Sequence, residues 1–140
     1  MKIHLIELLI ILARQQNPST PKKELFYVDT TDNELVNKIL TFLKNHLYGT
    51  ITLDDLSNRL FYSKSYLNRI FKKHIHYTIK EHYNYLKIKE AKKILRADPK
   101  QTVIGIANLL QYDSLSYFIK VFKKYVGLTP MEYKERFLLT

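Results

Sequence analysis

Residues 65–78 read SYLNRIFKKHIHYT, and residues 116–129 read SYFIKVFKKYVGLT. At a spacing of 51, Ser65, Tyr66, Phe71, Lys72, Lys73 and Thr78 recur as Ser116, Tyr117, Phe122, Lys123, Lys124 and Thr129. Leu67 faces Phe118, Arg69 faces Lys120, Ile70 faces Val121 and Ile75 faces Val126, each a conservative exchange. Upstream the match continues at a spacing of 50, pairing Thr52 with Thr102, Leu56 with Ile106, Leu60 with Leu110 and Tyr62 with Tyr112. The second copy therefore carries one extra residue between Tyr112 and Ser116. A fixed spacing marks a duplicated structural unit. Each copy is a short capped helix, a tight turn and a second capped helix with a basic tail, which is the plan of a helix-turn-helix.

The apolar side of the second helix says which side is left for a partner. In the first copy Leu67, Ile70, Phe71 and His74 fall at i, i+3, i+4 and i+7, one helical stripe. Ser65, Asn68, Arg69, Lys72 and Lys73 are left opposite. In the second copy the stripe is Phe118, Val121, Phe122 and Tyr125, with Ser116, Ile119, Lys120, Lys123 and Lys124 opposite. Such a helix suits a DNA major groove: early polar side chains reach base edges while late cations meet phosphates. An amphipathic helix with solvated cations has the same pattern when seen once. Repetition of the polar side, position by position, favours the DNA reading.

Hydrophobic residues recur at helical spacing along the rest of the chain, and no period-two stretch stands out. The expected class is all-α. Ile3 to Gln16 reads as a first helix and residues 17–30 as a Pro-punctuated linker; the apolar patch Leu25–Val28 has no assignment. Thr31-x-x-Glu34 reads as a capping box opening a helix with Leu35, Val36, Ile39, Leu40, Phe42 and Leu43 as its apolar stripe. Thr52, Ser63, Thr78, Thr102 and either Asp113 or Ser114 read as caps of the helices that follow. Gly127 ends one helix, and Thr129-Pro130 opens the last with Pro in its first turn.

The 140 residues hold one domain or one domain with an appendage, carry a formal charge of +10, and include no Cys. Disulfides, thiolate zinc sites and cysteine nucleophiles are thereby excluded. Residues 1–50 hold 6 basic and 5 acidic side chains, whereas residues 51–140 hold 17 and 8. The positive excess thus lies with the repeat, as a surface facing a polyanion requires. His74 and His76 do not share a helix face, and neither a phosphate-cradling glycine loop nor a nucleophile motif is present. No metal, cofactor or enzymatic activity is expected. The apolar run Ile3–Ala13 is shorter than the about 20 residues that span a bilayer and lacks a cleavage site after it. The chain reads as cytoplasmic, with no membrane partner.

From Ile51 onward the sequence resembles the DNA-binding domain of AraC/XylS-type transcription regulators. The resemblance lies in Ile51-Thr52-Leu53-Asp54-Asp55-Leu56, in Ser63-x-Ser65-Tyr66-Leu67-x-Arg69-x-Phe71-Lys72-Lys73, and in Ile88-x-Glu90-Ala91-Lys92-x-Ile94-Leu95. Its most specific stretch is Ser116-Tyr117-Phe118-x-x-Val121-Phe122-Lys123-Lys124-Tyr125-x-Gly127-Leu128-Thr129-Pro130-x-x-Tyr133. With the helix from Thr31 it covers about 105 of the 140 residues. The resemblance implies seven helices in residues 31–140, arranged as two three-helix, homeodomain-like subdomains. The first helix-turn-helix would occupy about 51–76 and the second about 102–126, joined by a long helix over about 78–96. Recognition helices would enter successive major grooves about 34 Å apart. Ser65, Asn68 and Arg69, then Ser116, Tyr117 and Lys120, match the base-reading positions. Arg69 stands out, because a guanidinium can bind guanine O6 and N7 together. Lys64, Lys72, Lys73, Lys123 and Lys124 would track phosphate. Double-stranded DNA and RNA polymerase are the partners so implied.

Departures from the family pattern locate points of local interest. Phe61, Gln111 and His76 stand where the family often has Gly, and a side chain is accommodated there if the backbone relaxes. Gly105 lies inside a helix, at a cost of roughly 1 kcal/mol relative to Ala. Tyr85 replaces a frequent basic residue, and Ile119 sits among the polar positions of the second recognition helix. The Ile3–Gln16 helix resembles the tail of an effector domain and is apolar nearly all round. A second copy of itself would cover it and make a homodimer; the alternatives are packing back onto the helix at 32–46 or fraying as the remnant of a longer protein. A protein-interaction module or anti-regulator keeping the fold without DNA binding is the alternative function.

Overall fold

Local side-chain oxygens decide where the helices begin. The structure, a computed structural model, describes residues 30–138. The helix expected at Ile3–Gln16, the Leu25–Val28 patch and all but the last residue of the linker lie outside the described residues. Among those described there are seven helices and no strand: α1 (Glu34–Asn45), α2 (Leu53–Leu60), α3 (Lys64–Ile75), α4 (Ile79–Ala97), α5 (Val103–Leu109), α6 (Leu115–Val126) and α7 (Pro130–Leu138). Thr52, Ser63, Thr78, Thr102, Ser114 and Thr129 each accept a hydrogen bond from a backbone N–H three residues on. Each such cap is worth about 1 kcal/mol. At α2 the box is reciprocal, because the Asp55 carboxylate accepts from the Thr52 N–H at 2.9 Å.

The expected capping box at Thr31 is not what forms. Asn33 is the cap, its Oδ1 accepting from the Val36 N–H at 3.0 Å. Thr31 sits two residues before it, where its Oγ1 accepts from the Asn33 N–H and its own N–H donates to Asn37 Oδ1. The helix therefore starts at Glu34, two residues later than a cap at Thr31 would set it.

Helices α1, α2 and α3 form one subdomain, and α5, α6 and α7 the other. The long α4 packs against α1 and α3 on one side and against α6 and α7 on the other. That double duty explains its burial of Ile79, Tyr83, Tyr85, Leu86, Ile88, Ala91 and Leu95, more than a one-sided helix would hide. Tyr85, standing where a basic residue was expected, is buried with its ring centroid 6.1 Å from that of Tyr125. The repeat is visible in the core: Leu67 and Phe71 are buried in α3 as Phe118 and Phe122 are in α6. The α3 stripe rotates slightly from expectation, with Ile75 buried while Ile70 and His74 are half-buried. No described helix is long and apolar enough to cross a membrane.

At Phe61, His76 and Gln111 the backbone does not relax. Their φ angles are 62°, 72° and 60°, the left-handed region that glycine occupies without penalty. Phe61 and His76 close α2 and α3, and Gln111 follows Leu110, which closes α5, so the geometry is kept and the side chain bears the strain. Phe61 is 89% exposed, so little packing is lost with its ring. We expect Phe61→Gly and Gln111→Gly each to raise stability by about 1 kcal/mol, read as a higher urea midpoint at constant slope. An unchanged or lower midpoint would show that the turns carry no such strain. Gly105 behaves oppositely. A Cβ there would lie 2.9 Å from Thr102 Oγ1, the oxygen that caps α5, so the advantage expected of Ala is lost to a clash.

Candidate nucleic-acid interface

The polar flanks of α3 and α6 are built from their caps upward. Ser63 and Ser114 fix the first turns through Tyr66 N–H and Tyr117 N–H, each at 3.1 Å, so the residues just after them project at helix N-termini. Ser65 and Ser116 are exposed there, and Tyr117 is 39% exposed. Arg69 is exposed, with its guanidinium carbon 5.5 Å from the centre of the Tyr66 ring. Such cation–π contact, worth about 0.5–1 kcal/mol at an exposed site, restricts a long side chain without removing its hydrogen-bonding edge. Tyr66 in turn stacks on Tyr62, with ring centroids 5.1 Å apart. Tyr66, paired with Tyr117 in the repeat, was not counted among the base-reading residues although Tyr117 was.

Lys72, Lys73, Lys123 and Lys124 are all exposed along the later turns, as is Lys120. Lys64 is exposed too, but its Nζ lies 2.8 Å from Asp54 Oδ1, which offsets part of its charge. Asn68 differs from the other base-reading candidates. It is half-buried, and its Oδ1 accepts from the Ile79 N–H at 3.2 Å, which makes it an added cap on α4. Ile119 is half-buried rather than fully presented.

Both flanks are tied to the same end of α4. Asn68 holds α3 to Ile79, and the Tyr125 hydroxyl of α6 donates to the Glu81 carbonyl at 2.9 Å. These two anchors are two residues apart on the first turn of α4. Lys80 lies between them, lining a hollow with Asn84, Tyr117, Lys120 and Lys124. Three lysines thus converge beside the second recognition helix. Nothing in the repeat pointed to Lys80, which lies outside both copies of the second helix. A larger cleft of about 440 Å³ opens between the subdomains, walled by Ile51, Leu53, Ile79, Tyr83 and Tyr112. Burial pushes the Tyr83 hydroxyl up to about 12, and pushes Tyr112 higher still.

A helix-turn-helix domain family matches residues 56–136 of the chain. The chain is also 33% identical over 102 residues to the HTH-type transcriptional activator AarP of Providencia stuartii, covering 73% of this chain and 75% of that protein. The chain belongs to the AraC-type helix-turn-helix family of DNA-binding transcription regulators. Among AraC-type solved structures, it superposes on the C-terminal domain of AraT, a response regulator from Geobacillus stearothermophilus, with a TM-score of 0.72 at 22% identity. That match covers 76% of this chain and 88% of the other. The DNA-binding domain of AdpA, solved in complex with a target DNA, superposes with a TM-score of 0.70 at 15% identity, covering 76% and 96%. At those identities the likeness concerns the fold alone. A response regulatory protein of Staphylococcus epidermidis is 27% identical over 139 residues, which cover 94% of this chain but only 55% of that protein. Against several AraC-type relatives, then, the chain spans about half the length or less.

Proposed function

We propose that this domain grips duplex DNA by seating α3 and α6 in two successive major grooves on one face of the double helix. Ser65 and Arg69 meet base edges in one groove; Ser116, Tyr117 and Lys120 do so in the next. Lys72, Lys73, Lys123 and Lys124 meet the phosphates that flank them, and Lys80 meets those between. Asn68 is given the capping role, with base contact at most through its amide nitrogen. The observation that carries this reading is the shared anchorage of both recognition helices on the first turn of α4, through Asn68 to Ile79 and Tyr125 to Glu81. Helices hung from one rigid turn act as a pair, which is what two half-sites at fixed spacing demand. The solved AdpA domain with its target DNA supports the same use of this fold.

Regulation of transcription in the cytoplasm, contact with RNA polymerase and pairing of two chains through the Ile3–Gln16 segment belong to the same proposal. The transcriptional activator AarP supports the regulation of transcription. Selection of bound fragments from random duplex DNA tests the central part. The expected outcome is a site with two conserved patches, on which Arg69→Ala costs about 1–3 kcal/mol and relaxes preference at one base pair. Equal weakening on selected and random duplexes would instead make Arg69 a phosphate contact.

A further inference from the structure

Lys87 is the one lysine among the described residues with a buried side chain, only 4% exposed. A buried ammonium costs several kcal/mol unless its protons find acceptors. Its Nζ donates to the Gly49 carbonyl at 3.0 Å and to the Leu110 carbonyl at 2.6 Å. Gly49 lies between α1 and α2 in the first subdomain, and Leu110 closes α5 in the second. One ammonium therefore spans the two halves from the helix between them. The rings of Tyr83 and Tyr112 close over it, with centroids 4.6 and 5.4 Å from Nζ, and Asp113 adds an attractive charge nearby. The Tyr83 hydroxyl reinforces the first contact, lying 2.6 Å from the His46 carbonyl and 2.7 Å from that of Gly49.

The two copies of the repeat differ at this point. Tyr62 and Tyr112 are equivalent in the repeat, yet Tyr62 is 46% exposed while Tyr112 is turned inward beside Lys87. Loss of the ammonium leaves the Leu110 carbonyl at the end of α5 without its buried donor, while the Gly49 carbonyl keeps only the Tyr83 hydroxyl, so the link between the two halves is broken.

We infer that Lys87 is a positioning residue for DNA recognition, a clamp that sets the distance and angle between the two helix-turn-helix units and hence the half-site spacing the protein accepts. The inference rests on the two-groove reading above. A preset geometry lets the second unit bind without paying again for orientation, so the two sites together bind far better than either alone. Burial lowers the Lys87 pKa to about 8, which leaves the group mostly charged at neutral pH and dependent on these acceptors.

The chain contains no cysteine, so introduced thiols are unique. Spin labels on Asn58→Cys and Glu135→Cys, both exposed and one in each subdomain, report the inter-unit distance in the free protein. We expect a single narrow distribution, broadened when Lys87→Met is added while each unit keeps its helicity. An unchanged distribution overturns the clamp. On selected duplexes, wild type should lose about tenfold or more in affinity when one base pair is inserted between half-sites, and Lys87→Met should lose most of that discrimination while binding single half-sites as before. Lys87→Cys, aminoethylated while unfolded and then refolded, regains the ammonium and should regain the discrimination. Equal loss on single and paired half-sites would make Lys87 a fold-stabilising residue only and overturn the proposal. Label broadening in a protein whose wild type ignores half-site spacing would leave the clamp standing and sink the two-groove reading instead.

Discussion

Replacing Lys72, Lys73, Lys123 and Lys124 together by Ala should abolish most DNA affinity at physiological salt and flatten its salt dependence. Each lysine that neutralises a phosphate releases about one counterion, so log K falls with log salt at a slope of roughly −0.9 per contact. Removing four contacts should reduce the magnitude of that slope by about 3.6. All four side chains are exposed, so the fold should be untouched and the melting temperature unchanged. The effect must fall equally on the selected site and on random duplex, since phosphate contacts carry no base information. Titrations by fluorescence anisotropy between about 50 and 200 mM salt give both numbers. A slope that drops by less than one unit would place these lysines away from the DNA.

Phe71→Ala and Phe118→Ala should each lower stability by about 3–5 kcal/mol, a large share of the about 5–15 kcal/mol that holds a small domain. Both rings are fully buried, one in each copy; Phe118 stands where the first copy has Leu67, and the counterpart of Phe71 is Phe122. Phe71 packs edge-on against His82 of α4, with ring centroids 5.5 Å apart. Phe118 meets Tyr112 at 5.1 Å and Phe122 at 5.9 Å. Truncation removes the transfer energy of the ring and leaves a cavity that the flanking helices cannot close without breaking their grip on α4. Urea unfolding measures the loss, and Phe118→Leu should cost far less because it keeps most of the volume. A change below about 1 kcal/mol for either Ala variant would mean that the recognition helices are not held by this core.

What the amino-acid order revealed, and what it concealed, divides along a physical line. Helix starts were readable wherever a single Ser or Thr had no rival, as at Thr52, Ser63, Thr78 and Thr102. At Thr31 the pattern was satisfied but Asn33, two residues on, is the cap, and periodicity does not rank two competent caps. The duplicated apolar stripe located the core because burial follows spacing. Tertiary neighbours do not follow spacing, which is why Asn68 was counted with the polar flank. On a helical wheel it faces outward, but the N-terminus of α4 arrives on that side and takes its oxygen. Lys87 was invisible for the same reason, since a lysine in a Lys-rich helix looks solvated until a second subdomain covers it. The family resemblance drew attention to Phe61, His76 and Gln111 but left their geometry open to a relaxed backbone; the left-handed turns that form were not legible in Phe or Gln, neither of which favours positive φ. Tyr66 and Lys80 show the remaining gap: the contact of Tyr66 with Arg69 is a side-chain detail that spacing does not carry, and Lys80 lies between the two copies.

Hydroxyl-radical footprinting on a duplex selected from random sequence bears most directly on the pairing of α3 and α6. Two protected patches centred about 10–10.5 base pairs apart, both on one face of the duplex, are the predicted result. Protection of a single patch, or of two patches on opposite faces, would contradict it.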